Sequence, residues 1–165
     1  MKNLWYKPSK PAQIEPRPWL ADNATTFFDA LLQPEYTVCE FGGGGSTLWL
    51  AARVARVVTY EPRLEWMEAI RAHNGDNVEL HNAASPEIGE QFDVLFIDGE
   101  PVEKRAEWIS KAAQLVKPRG FVVLDNANRP EYAGTVAEFQ AVAKLLAHFA
   151  APVGKYLVTD FYRLK

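Results

Sequence analysis

In VCEFGGGGSTLWLA, Val38–Ala51, four consecutive glycines separate an acid-tipped apolar run from a second apolar run. The first run reads as a strand and the second as a helix, so the glycines form the turn between them. Such a turn needs positive φ, or no side chain where a ligand comes close to the backbone. The helix that follows offers free N–H groups at its start, which suits a ligand carrying acceptor oxygens. A pyrophosphate is not indicated. The fingerprint G-x-G-x-x-G needs glycine at 47 or 48, where Thr47 and Leu48 stand, and the P-loop pattern is absent. Glu40, directly before the glycines, suits a cationic ligand and repels phosphate.

Outward from this turn, strands and helices alternate. Tyr36–Phe41 reads as a buried strand and Ser46–Val54 as a helix. Val57–Tyr60 is a second strand, and Arg63–His73 is a helix with Leu64, Met67 and Ile70 on one face and Asn74-Gly75 as its stop. Val78–Ala83 is a third strand. FDVLFIDG, Phe92–Gly99, is a nearly unbroken apolar run, as in a central parallel strand. Val102–Val116 reads as a helix closed by KPRG, and Phe121–Asn126 as a fifth strand. Tyr132, Val136, Phe139, Val142 and Leu146 mark one face of a long helix. The terminal YLVTDFYRL alternates like a last strand, antiparallel to the rest. Upstream, Asp22 is placed to cap a helix bearing Phe27, Phe28, Leu31 and Leu32, which Pro34 ends. The rhythm predicts a single α/β domain over residues 1–165. Its sheet is doubly wound and mostly parallel, with helices on both faces and an antiparallel last strand.

Residues 1–21 form an extended arm, held out of helix by Pro8, Pro11, Pro16 and Pro18. Disordered tails are poor in aromatic residues, yet this arm carries Trp5, Tyr6 and Trp19. It is expected to pack on the body, either as a cover for core surface or as a lid over a ligand. The formal net charge of -3 and scattered basic residues provide no footprint for nucleic acid. One cysteine, Cys39, excludes an internal disulfide and reads as a packing thiol. No apolar run reaches membrane-span length and the N-terminus lacks a signal-peptide core, so the expected location is the cytoplasm. His73, His81 and His148 read as surface or structural residues.

Ligands of doubly wound sheets bind outside the carboxyl ends of the strands. Those ends carry Glu40, Glu61, Asn82, Asp98 and Asp125, a polar set that packing does not require. Glu61 follows Glu40 by one strand and one helix, an offset at which an acid can accept both hydroxyls of a ribose. It could also be a solvated strand end or a cap acid near Pro62.

With these residues, the sequence resembles the class I S-adenosylmethionine (SAM) dependent methyltransferases. CEFGGGGST is similar to their first motif, acid-x-Gly-x-Gly-x-Gly, with Ser46 in place of the last glycine. VVTYEP resembles the acidic second motif and FDVLFIDG the fourth-strand motif. LVKPRGFVVLDN resembles the L-x-P-G-G turn and fifth strand, with Arg119 where glycine is usual. The resemblance covers residues 36 to 126 and implies SAM as cofactor. It implies that Gly42, Gly43 and Gly44, with Ser46 and Thr47, pass under the methionine part. Glu40 would lie near the amino group, Glu61 would hold the ribose, Asn82, Ala83 and Ala84 would flank the adenine, and Asp98 would stand beside the methyl.

Methyl transfer is an in-line displacement that needs no protein nucleophile. It needs the acceptor atom placed at about 3–3.5 Å and a route for the acceptor's proton. Asp98 and Asp125 are the catalytic candidates. By resemblance to members that methylate catechol-like hydroxyls, Asp98, Asp125 and Asn126 match an Mg²⁺-binding set. The lysine usual three residues after the first acid is replaced by Pro101, with Lys104 one turn on. The residues leave a second reading open: Asp98 as a loop cap or metal-free base, and Asp125-Asn126 as a turn. Arg129 and Tyr132 fall near the same mouth, where Arg129 could clamp an anionic substrate. DGEP lacks the Asp/Asn-Pro-Pro-aromatic signature of base-amine methylation, which argues against nucleic acid as acceptor. The expected activity is methyl transfer to oxygen or nitrogen of a small molecule. The alternatives are a SAM-binding sensor or partner subunit without turnover, and a nicotinamide-dependent oxidoreductase disfavoured by the missing third fingerprint glycine. Oligomeric state is not legible here.

Overall fold

The computed structural model describes residue 11 and residues 14–84, 86–150 and 158–165. The elements in chain order are α1 (Asp22–Leu31), β1 (Thr37–Phe41), α2 (Gly45–Ala51), β2 (Arg56–Tyr60), α3 (Leu64–Arg71) and β3 (Val78–His81). They continue with β4 (Phe92–Ile97), α4 (Arg105–Leu115), β5 (Val116–Asp125), α5 (Ala133–Phe139), β6 (Ala143–Ala150) and β7 (Val158–Leu164). The sheet order is β3-β2-β1-β4-β5-β7-β6. β1 to β5 pair in parallel, and β7 runs antiparallel to both β5 and β6. From β1 the chain winds outward to β2 and β3, then returns to place β4 on the other side of β1. The switch point therefore lies between the ends of β1 and β4.

Both faces of the sheet are covered, and the period of two in each strand shows how. In β1, Cys39 and Phe41 join a cluster with Leu95, Ile97, Trp108, Ile109, Leu124 and Tyr162, beneath α4 and α5. Val38 joins the opposite cluster with Phe28, Trp49, Leu50, Val57, Phe96 and Phe161, beneath α1 and α2. A strand buried on both sides cannot alternate apolar with polar, which is why β4 reads FDVLFI.

Three expectations are corrected. The long helix from Tyr132 to Leu146 is a short helix followed by an edge strand. Tyr132, Val136 and Phe139 are buried as the stripe requires, but Val142 and Leu146 are exposed. Helix propensity favours Ala, Lys and Leu by only about 0.7 kcal/mol per residue or less. Antiparallel pairing with β7 from Ala143 to Ala150 outweighs it, and Phe149 closes on Phe27 and Phe161. Asp22 does not cap α1. It is the helix's first residue, Ala21 provides no side-chain cap, and the Asp22 carboxylate pairs with Arg17 instead. β5 begins at Val116, so KPRG lies within the strand, with a register irregularity between Phe92 and Val94 of its neighbour. The last strand is antiparallel as read. Tyr156 and Leu157 of that reading lie outside the described residues, as do Trp5, Tyr6 and Pro8 of the arm. Cys39 is buried, and burial with the nearby Glu40 charge pushes its thiol pKa far up, as befits a packing residue.

Candidate active site

The four glycines lie where β1 gives way to α2, and each meets different surroundings. Gly42 has φ +94°, and a Cβ there would come within 2.2 Å of Gly99 Cα. The ends of β1 and β4 thus touch backbone to backbone, which brings Asp98 beside the glycine loop. A Cβ on Gly43 would press on Thr59 and Ile70 at 2.7 and 2.8 Å, and one on Gly45 on the Glu15 carbonyl oxygen at 2.0 Å. Gly44 differs: a Cβ would meet only Trp66, at an ordinary 3.6 Å. Its φ of 172° is extended backbone that any residue adopts.

A cleft opens over this loop. It is lined by Gly42, Gly43, Gly44, Gly45, Ser46 and Asp98, by Arg63, and by Arg17 and Trp19 of the N-terminal arm. The arm crosses the start of α2 so closely that Gly45 must be glycine. Trp19 stands edge-on to Trp66, with ring centroids 5.6 Å apart, and the Arg63 guanidinium lies 5.1 Å over the same Trp66 ring.

Glu40 is wholly buried beneath the loop. Its Oε2 accepts from Thr47 Oγ1 at 2.6 Å and Thr59 Oγ1 at 2.8 Å. Its buried Oε1 accepts no hydrogen bond among the described residues. Burial raises the Glu40 pKa to about 7, against the lowering effect of the Ser46, Thr47 and Thr59 hydroxyls. Thr47 lines no cleft wall. Its hydroxyl also accepts from Gly44 N–H at 3.1 Å, so it braces the loop against Glu40.

Glu61 is also fully buried, with both oxygens engaged. Gly43 N–H and Arg63 Nη2 donate to Oε2, each at 3.0 Å. Arg63 N–H and Nε donate to Oε1 at 2.8 and 2.7 Å. The acid expected to hold ribose hydroxyls is thus gripped by Arg63, a residue that no sequence motif marks. Asn82 is tied to the backbone beside Glu61. Its amide donates to the carbonyls of Glu61 and Pro62, tying β3 to the turn before α3. Ala83 packs against the core cluster under α4, and the Ala84 carbonyl accepts from Trp108 Nε1.

On the other side of the cleft, Asp98 and Asp125 stand at adjacent strand ends. Asp125 Oδ1 accepts from Thr159 at 2.9 Å and Oδ2 from Asn126 Nδ2 at 2.9 Å. Burial, then the Asp98 charge, push the Asp125 pKa well above its ordinary value, against the lowering effect of Arg105 and the Thr159 hydroxyl. Asn126 has φ +54°, a left-handed conformation that asparagine tolerates. Its Oδ1 accepts from Arg129, and its carbonyl from the Tyr132 hydroxyl at 2.5 Å. Behind both acids lies Arg105, buried without exposure, reaching Asp98 Oδ1 at 3.3 Å. The set Asp98, Asp125 and Asn126 does not fit Mg²⁺. Asp98 Oδ1, both Asp125 oxygens and Asn126 Oδ1 are engaged by protein donors, and a guanidinium stands against the carboxyl of Asp98. Among the described residues, no group of three or more His, Cys, Asp or Glu side chains could hold a metal ion.

Sequence comparison places the chain in a family. The family model described as a methyltransferase domain matches residues 39–127, more than half of the chain. The chain belongs to this family: it is a SAM-dependent methyltransferase with a Rossmann-like fold. No curated protein matches it. Among solved structures it is similar to an O-methyltransferase from Bacillus cereus in complex with S-adenosylhomocysteine (SAH). The identity there is 23%, the TM-score 0.68, and the match covers 88% of this chain and 82% of that one. It is also similar to an N-methyltransferase from Bradyrhizobium japonicum, solved with SAH, at 10% identity and TM-score 0.63 over 79% of each chain. A tRNA (m1A58) methyltransferase from Aquifex aeolicus matches at 18% identity and TM-score 0.62, over 85% of this chain and 68% of that one. At these identities the likeness speaks to the fold and leaves the acceptor open. Among the described residues, no helix is long and apolar enough to cross a membrane.

Proposed function

We propose that the chain transfers a methyl group to oxygen or nitrogen of a small molecule, in the cleft between the ends of β1 and β4. The observation that carries this reading is Gly44. It lines the cleft, its conformation suits any residue, and packing leaves its missing side chain unexplained. A ligand passing directly over its backbone explains it. SAM, when bound, supplies a sulfonium methyl: the C–S bond breaks with its electron pair going to sulfur, as the acceptor's lone pair forms the new bond.

The residues supply position and a proton path. Glu40 offers a buried, unpartnered oxygen to the amino group of the methionine part. Gly43, Gly44 and Ser46 leave room for that part, and Thr47 holds the loop. Glu61 accepts the ribose hydroxyls once Arg63 releases it, while Asn82 and Ala83 shape the adenine side from behind. Asp98, at the cleft wall, takes the acceptor's proton. Asp125 positions Asp98 from beneath. Arg17 and Trp19 roof the loop and restrict what reaches Asp98, which favours a small acceptor over a polymer and gives the arm a lid's role.

The experiment pairs calorimetry against SAH with a transfer assay using SAM labelled in the methyl group. Panels of small hydroxyl and amine compounds, RNA and protein serve as acceptors. Label is expected in a small molecule. With Asp98→Ala it should fall by about 100-fold or more while SAH affinity changes little. Label appearing in RNA or protein alone would overturn the small-acceptor reading.

A further inference from the structure

Arg105 opens α4 and is among the largest side chains with no solvent exposure. A charge out of water costs several kcal/mol unless partners surround it. Nε donates to the Gly99 carbonyl at 2.9 Å, Nη1 to the Asp125 carbonyl at 2.6 Å, and Nη2 to Asp98 Oδ1 at 3.3 Å. These acceptors sit at the ends of β4 and β5, the two strands that present Asp98 and Asp125. A planar fork with fixed donor directions can span two strand ends, and a lysine cannot. Burial works against the charge, but Asp98, Tyr132 and Asp125 outweigh it and keep the guanidinium protonated.

We propose that Arg105 is the built-in cation of this site: it binds the ends of β4 and β5 together, offsets the paired carboxyls of Asp98 and Asp125, and leaves no place for a divalent ion. The inference rests on the reading of the cleft as the methyl-transfer site, with Asp98 as proton acceptor. Arg105 is then a positioning residue. It touches neither substrate nor methyl, and it holds the Asp98 carboxylate toward the cleft. Without a metal to acidify the acceptor, the acceptor's proton passes directly to Asp98.

The test uses the full chain with SAH and follows bound Mn²⁺ by the loss of the free-ion paramagnetic resonance signal. The unaltered protein is expected to bind SAH and to show no Mn²⁺ binding that depends on Asp98. Arg105→Ala removes the cation and leaves the carboxyls, so it is expected to bind Mn²⁺ at least about tenfold more tightly. Asp98→Asn added to Arg105→Ala should abolish that gain. Stoichiometric Mn²⁺ binding by the unaltered protein, lost in Asp98→Asn, would overturn the inference and leave the SAM site standing. A folded Arg105→Ala that gains no Mn²⁺ affinity would overturn it too. If circular dichroism shows Arg105→Ala unfolded, the unaltered protein decides alone. Failure of the unaltered protein to bind SAH would sink the reading of the cleft, a result separate from the Mn²⁺ titration.

Discussion

At the level of single residues, the glycine loop separates structural need from functional need. Gly42 is required by the fold, because its φ is positive and it abuts Gly99. Gly44 has no such requirement. Gly44→Ala should therefore fold with a melting temperature close to that of the unaltered protein, yet lose SAH affinity by about tenfold or more, since the ligand and the alanine methyl group would compete for the same space. Undiminished binding in calorimetry would count against the cleft. Arg119 makes the opposite case. It stands where the resembling family has glycine, and it has φ +67°. Left-handed backbone costs a non-glycine residue about 1–2 kcal/mol, and glycine returns about 0.5–1 kcal/mol of that as unfolded-state entropy. Arg119→Gly should raise stability by roughly 0.5–1 kcal/mol in denaturant titration, with SAH binding unchanged.

At the level of elements, β6 carries the apolar spacing of the far half of a helix. The apolar spacing from Tyr132 to Leu146 fits a helical face, and no turn signal interrupts it. What the spacing cannot contain is the row of backbone partners that β7 offers. Leu146 tests the point. It falls at the register irregularity of β6 and is exposed, so Leu146→Lys should alter stability by less than about 0.5 kcal/mol. A loss of about 2–5 kcal/mol, the cost of emptying a core position, would restore the helix. Arg63, at the entrance to α3, is the element-scale surprise of the site. It occupies both oxygens of Glu61 with a two-pronged, charge-assisted grip, beside the bond from Gly43 N–H. Ribose hydroxyls compete for those oxygens, so Arg63→Ala should tighten SAH binding by about threefold to tenfold, because the ligand no longer has to displace charge-assisted hydrogen bonds from a buried carboxylate. Weaker binding would mean that Arg63 itself contacts the ligand.

For the whole molecule, the buried acid beneath the loop couples pH to both stability and binding. The Glu40 pKa is raised to about 7 by burial, so the native state holds a proton that the unfolded chain gives up at lower pH. In the window between the ordinary carboxylate value and about 7, the unfolded state binds fewer protons. Stability must therefore fall as pH rises through that window. A cationic amino group favours ionised Glu40, so SAH affinity should rise about tenfold between pH 6 and pH 8, and Glu40→Gln should flatten the rise. A flat profile in the unaltered protein would remove Glu40 from the ligand's reach. Much of this architecture was legible in the chain. The βα rhythm, the glycine turn, the acids at the strand ends and the antiparallel last strand are local patterns of period and residue type, and a local pattern needs no partner to be read. The grips on those acids were not legible. Arg63 on Glu61, Arg105 on Asp98, Thr159 on Asp125 and the arm over Gly45 join residues through space, between elements whose approach is set by packing. The sequence by itself determined which chemistry stands at the switch point, because strand ends and their residues follow from periodicity. The tertiary structure alone decided which of those charges are already paired, because a carboxylate's partner depends on which side chains folding brings within hydrogen-bond reach.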